Sequence, residues 1–162
     1  MIKVLFTGFI GSTNSSKVLL NNINKSTSID LLFLENDFEI SKRQLINKLK
    51  EHIYDIVFSF GQKPVIKSIY IEKIATNKFE KLETNYDYIE LINYLGKDYK
   101  IKISENAGNY LCNNVYYSGL KFIFQNKIKT QMIFIHIPYL NNLDIKHFGK
   151  IMEKYIENKT RS

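Results

Sequence analysis

The chain has 162 residues, 44% of them hydrophobic, and a formal charge of +7 at neutral pH. That length suits a single domain spanning 1–162, with a core large enough to support a pocket without disulfides or metals. One cysteine excludes an intrachain disulfide, no apolar run approaches the roughly 18 residues of a membrane span, and the lysines are spread rather than massed into a basic stripe.

The opening residues carry no charged leader before a long apolar stretch, so no signal peptide is read and a cytoplasmic protein is expected. Strand-like runs rich in Val, Ile, Leu and Phe fall at 2–6, 30–34, 55–60, 99–103 and 132–137, with a further strand expected over 69–76. They are nearly continuous in hydrophobicity, as strands buried on both faces are. Helix-like segments alternate with them at 15–23, 41–53, 86–95, 110–125 and 143–157. Ser41 and Gln44 have the spacing of a capping box at the start of the second. The densest lysines, Lys121, Lys127 and Lys129, are read as flanking a helix-to-strand turn on a solvated face. The βαβα rhythm predicts an α/β fold: a three-layer α/β/α sandwich around a mainly parallel, partly mixed sheet.

Ligands in such folds bind beyond the carboxyl ends of the strands. That rule selects four segments, 7–14, 61–68, 104–112 and 136–140. Cys112 follows the small pair Ala107 and Gly108, where a strand should turn into a helix, and so falls in the first helical turn. The helix dipole there favours thiolate and lowers the thiol pKa from about 8.5, while free backbone N–H groups could stabilise an oxyanion. A lone cysteine is also a small buried hydrophobe in most proteins. His136 closes the last strand ahead of Pro138, either facing the pocket or satisfied by a backbone carbonyl. Glu72 lies in an apolar, strand-like segment; burying it is costly unless it is paired, and the partner is either a histidine or a surface lysine. His52 and His147 sit among charged neighbours and are read as surface residues. One cysteine and three scattered histidines give no zinc-ligand spacing, and no Gly-rich phosphate fingerprint occurs, so neither metal nor cofactor is expected.

Taken together, these segments resemble the pyroglutamyl peptidase I family, also called pyrrolidone-carboxylate peptidases. The run from Lys3 to Phe9 looks like the family's start, and Asp55 to Val57 followed by Gly61 and Gln62 like its central strand and turn. Glu72 to Ala75 with Asn77 keeps the spacing around its glutamate. Ser104, Ala107, Gly108, Tyr110 to Asn113 and Tyr117 look like its cysteine box, and Phe134 to Tyr139 like its histidine box. The resemblance implies a phosphorylase/hydrolase-like sandwich and a catalytic triad of Glu72, Cys112 and His136. It implies removal of an N-terminal pyroglutamyl residue from a peptide substrate through a thioester. Phe9, Tyr110 and Leu111 would contact the lactam, with polar contacts from Gln62. It further suggests a homo-oligomer, and no nucleic acid or membrane partner. The chain departs from the pattern where the loop after Phe9 shrinks to 10–14, where Ile66 replaces an arginine, where Asn114 replaces a histidine, and where only 78–87 precedes the next helix. These losses favour, besides an active peptidase, a trimmed homologue with altered specificity or a non-catalytic binding role, and the +7 charge adds a third reading, a basic nucleic-acid-binding domain with an incidental triad.

Overall fold

A computed structural model describes residues 1–64 and 66–162. Eight strands and five helices alternate along the chain: β1 Val4–Phe9, α1 Ser15–Asn21, β2 Ile29–Leu34, α2 Phe38–Glu51, β3 Ile56–Gln62, β4 Ile69–Glu72, β5 Ile74–Thr76, β6 Lys81–Glu83, α3 Ile89–Leu95, β7 Ile101–Ser104, α4 Leu111–Gln125, β8 Gln131–Ile137 and α5 Ile145–Arg161. Six strands form one sheet in the order β2-β1-β3-β8-β4-β7. Its pairs are parallel except β4 with β8, which is antiparallel. The α/β class and the mainly parallel, partly mixed sheet expected from the sequence are those observed.

Period-2 alternation of side chains separates two cores. Ile133, Ile135 and Ile137 of β8 face one, with Leu19 and Leu20 of α1, Leu91 of α3 and Phe148 of α5. Met132 and Phe134 face the other, with Leu45 of α2, Val115 and Leu120 of α4, and Ala75 and Leu82 of β5 and β6. The central strands are therefore apolar on both faces, which is why they read as unbroken hydrophobic runs.

Three local expectations are corrected. The segment 69–76 is two strands, because the chain leaves the main sheet at Lys73, whose ammonium lies 3.7 Å from both Glu83 and Glu105. β5 then pairs with β6, a strand absent from the sequence reading. Helix α2 begins three residues early: Asp37 caps it by accepting from the Ile40 N–H at 2.8 Å, Ser41 donates back to the Asp37 carbonyl, and Gln44 braces 33–35 instead of a capping box. The expected loop 61–68 contains position 65, which lies outside the described residues.

Candidate active site

The strand registers decide which side chains meet. In β3·β8, Gly61 pairs with His136; in β4·β8, Glu72 pairs with Phe134 and Tyr70 with His136. Glu72, Phe134, His136 and Gly61 thus project from the same face at the carboxyl ends of β3 and β8, beneath the first turn of α4. His136 and Glu72 are buried, 4% and 0% exposed, and His136 Nδ1 lies 2.7 Å from Glu72 Oε1. With Glu72 ionised, Nδ1–H donates to the carboxylate and Nε2 is the acceptor. Glu72 Oε2 is buried and has no hydrogen-bond partner among the described residues.

The strand-to-helix turn before Cys112 uses Gly108 at φ +89°, a conformation that L side chains rarely adopt. Asn106 Oδ1 accepts from the Gly108 N–H at 2.9 Å and fixes the turn. Helix α4 then starts without a side-chain cap at Tyr110, whereas α1, α2 and α5 are capped by Asn14, Asp37 and Asp144. The first N–H groups of α4 consequently lack the side-chain acceptor that the capped helices provide. Cys112 points at the sheet over Gly61: a Cβ at that glycine would stand 2.5 Å from Cys112 Sγ and 2.9 Å from the Phe134 ring. The thiol and the imidazole therefore flank one strand position. They are not hydrogen-bonded to each other, the imidazole's bond among the described residues being the one to Glu72.

The expected lowering of the Cys112 pKa is not what the surroundings produce. Burial, with the Glu72 charge second, pushes the thiol up to about 12; the thiol's own backbone N–H and the Lys63 ammonium pull the other way and lose. The helix end is present, but desolvating a thiolate beside a carboxylate costs more than the dipole returns. These surroundings favour the thiol over the thiolate.

Of the other predicted contacts, Leu111 and Phe9 are buried, at 5% and 3% exposure, within the α4-side core. Tyr110 is exposed and meets Phe38 edge-on at 5.4 Å, and both line a groove of about 520 Å³ with Asn109, Asn113 and Tyr117. Gln62 ends β3, and its side chain accepts from the Ser15 N–H at 2.8 Å. Ile66 is buried and Asn114 donates to the Phe38 carbonyl. His52 and His147 are exposed, as read from the sequence.

Several contributors escaped the sequence reading. Asn113 clasps Thr76 with both ends of its amide, at 2.9 and 2.8 Å, tying α4 to β5. Lys63, a cation close enough to Cys112 to favour thiolate, lies over the Tyr70 ring at 5.1 Å. Gly61 was legible in principle, since a glycine inside a strand often marks a close approach of another group. Among the described residues no group of three metal-ligating side chains occurs, and no helix is long and apolar enough to cross a membrane.

The chain is similar to known proteins in both sequence and fold. The family model described as pyroglutamyl peptidase matches residues 97–157. Pyrrolidone-carboxylate peptidase 2 of Caldanaerobacter subterraneus is 30% identical over 169 aligned positions, covering 86% of this chain and 82% of the relative. Pyrrolidone-carboxylate peptidase 1 of the same organism is 29% identical with 86% and 83% covered. Among solved structures, pyroglutamyl peptidase I of Bacillus amyloliquefaciens superposes with a TM-score of 0.84 at 21% identity, covering 94% of this chain and 93% of that one. Pyrrolidone carboxyl peptidase of Fervidobacterium islandicum superposes at 0.83, also at 21% identity, covering 99% of each. The solved structures share the fold, and the sequence relationship across four fifths of a curated relative carries more: this chain belongs to the pyroglutamyl peptidase family of cysteine peptidases.

Proposed function

We propose that this protein removes an N-terminal pyroglutamyl residue from peptides, with Cys112 as nucleophile, His136 as base and acid, and Glu72 as the residue that orients His136. The observation that supports it most directly is the buried 2.7 Å pair of Glu72 and His136 set beside a cysteine at an uncapped helix start. A carboxylate at 0% exposure is costly unless paired, and here its partner is the imidazole that shares a strand position with the thiol. The sulfur passes its proton to His136 Nε2 as it attacks the pyroglutamyl acyl carbon. Deprotonation within the attack suits a thiol whose pKa burial pushes up to about 12 better than a preformed thiolate does. The N–H groups at the start of α4 receive the oxyanion. As the tetrahedral species collapses, the C–N bond breaks, His136 returns the proton to the leaving amine, and a thioester remains on Cys112. His136 then takes a proton from water, hydroxide adds to the thioester carbon, and free pyroglutamate and the thiol are regenerated.

Phe9 within the core and the short loop after it leave little aromatic surface for the lactam. Losing one aromatic contact is worth roughly 1–3 kcal/mol of binding, so a raised KM with a preserved kcat is expected for a chromogenic pyroglutamyl amide. Steady-state kinetics on that amide test the proposal. Absence of hydrolysis at any substrate concentration, with the thiol verified as unmodified, excludes it.

A further inference from the structure

Tyr116 contacts the Glu72 backbone and the Phe134 ring that packs on His136, without being one of the reacting groups. It is four residues after Cys112, so the two side chains share one face of α4. Its side chain is fully buried, and its hydroxyl donates to the Glu72 backbone carbonyl at 2.7 Å. Its ring packs on Phe134 with centroids 5.7 Å apart, and Phe134 packs on His136 at 5.0 Å. The edge of the same Phe134 ring shares the space above Gly61 with Cys112 Sγ.

Glu72 is the last residue of β4, where the chain leaves the main sheet. Its carboxylate is held by a single hydrogen bond, because Oε2 has no partner. One tether leaves a carboxylate free to swing about it, so where the oxygen sits depends on how firmly the backbone beneath is fixed. The Tyr116 hydroxyl fixes that backbone from the helix that carries the cysteine. A phenylalanine would fill the same space without the cost of burying a hydroxyl, so packing alone does not account for a tyrosine here.

We propose that Tyr116 is a positioning residue for the reaction proposed above: it sets the Glu72–His136 pair in register with Cys112. The proposal rests on that reading of the reaction, and its test separates the two. Tyr116→Phe keeps the ring and removes only the hydroxyl. Two rates are measured: hydrolysis of the pyroglutamyl amide, and alkylation of Cys112, the sole cysteine, by iodoacetamide near neutral pH. Both kcat and the alkylation rate should fall about three- to tenfold, the factor that one hydrogen bond is worth, with KM unchanged. Tyr155→Phe, which removes a buried hydroxyl on the opposite face of the sheet, should leave both rates as they were, whereas a general loss of stability would move the two variants alike. If the wild type hydrolyses nothing, the reaction reading fails while alkylation still decides the role of Tyr116. A folded Tyr116→Phe protein that alkylates at the wild-type rate overturns the proposal. Should that variant not fold at room temperature, it is measured cooled and in glycerol beside the wild type under identical conditions, and read the same way: slowed alkylation supports the proposal and an unchanged rate overturns it.

Discussion

On each face of the central sheet a short polar contact is buried beside phenylalanine rings, and these two are built differently. On the face covered by α1, α3 and α5, the hydroxyls of Tyr86 and Tyr155 meet at 2.6 Å, with Phe58 edge-on to both rings. On the face covered by α2 and α4, His136 and Glu72 meet at 2.7 Å beside Phe134. The tyrosine pair is neutral and closed, each hydroxyl occupied by the other, and burial drives both hydroxyls well above the usual phenol range. The other pair contains a carboxylate with one oxygen unpartnered, next to a thiol that has no bond to it. An unsatisfied buried acceptor costs about 1–3 kcal/mol. Neither tyrosine hydroxyl is left without a partner, whereas the Glu72–His136 contact tolerates an unpartnered oxygen beside the proposed nucleophile.

The contrast is sharpest at the cysteine. Cys112→Ala should reduce kcat/KM of the pyroglutamyl amide by roughly 10⁴-fold or more, without the unfolding that accompanies loss of a core side chain; substrate titration and a thermal melt on the same preparation check both halves. Retention of even a tenth of the activity breaks the proposed mechanism. A smaller but still large effect is expected from Gly61→Ala. Its new Cβ would lie 2.5 Å from Cys112 Sγ and 2.9 Å from Phe134, so the sulfur must move, and misplacement by about 1 Å costs on the order of 10²-fold. A crystal structure of the variant would show whether the sulfur or the strand gives way.

On the other face the effect should appear in stability alone. Tyr155→Phe leaves the Tyr86 hydroxyl without its buried partner and should destabilise by about 1–2 kcal/mol, a fall in Tm of roughly 2–8 °C for a chain of this size, with kcat/KM unchanged. Asn113→Ala tests the border between the two classes. It frees the Thr76 N–H and carbonyl and should cost about 1–3 kcal/mol measured by urea unfolding, with activity reduced only so far as the β5–β6 hairpin loosens.

The last expected effect concerns pH. Burial holds the Cys112 proton up to about 12, against an ordinary value of 9.0. The folded state therefore binds this proton more tightly than the unfolded chain, so its contribution to stability is intact below pH 9 and declines as pH rises toward 12. Wild type and Cys112→Ala share their tyrosines, so the difference between their unfolding free energies isolates the thiol. That difference should shrink from about pH 8 to about pH 11, and a constant difference would show that the thiol is less desolvated than its surroundings imply.

Sequence alone determined the alternation of elements, the parallel character of most of the sheet and the three segments that carry Glu72, Cys112 and His136. Those features are written in local runs: continuous apolar strands, amphipathic helices, and small residues at the turn before Cys112. Tertiary structure decided what the runs could not encode. Whether Glu72 met His136 or a lysine depended on β4 pairing antiparallel with β8 at one register, and a shift of one residue would have turned Glu72 to the opposite face. The break of 69–76 into two strands depended on Ile74–Thr76 pairing with Lys81–Glu83 outside the main sheet, a partner that lies in a separate run of the chain. The direction of the Cys112 shift depended on how deeply the sulfur sank beside Glu72, since desolvation is a property of the packed surroundings and a helix dipole is a property of the helix. The reach of the Tyr116 hydroxyl to the Glu72 carbonyl, across 44 residues of sequence, exists only because α4 lies over the end of β4.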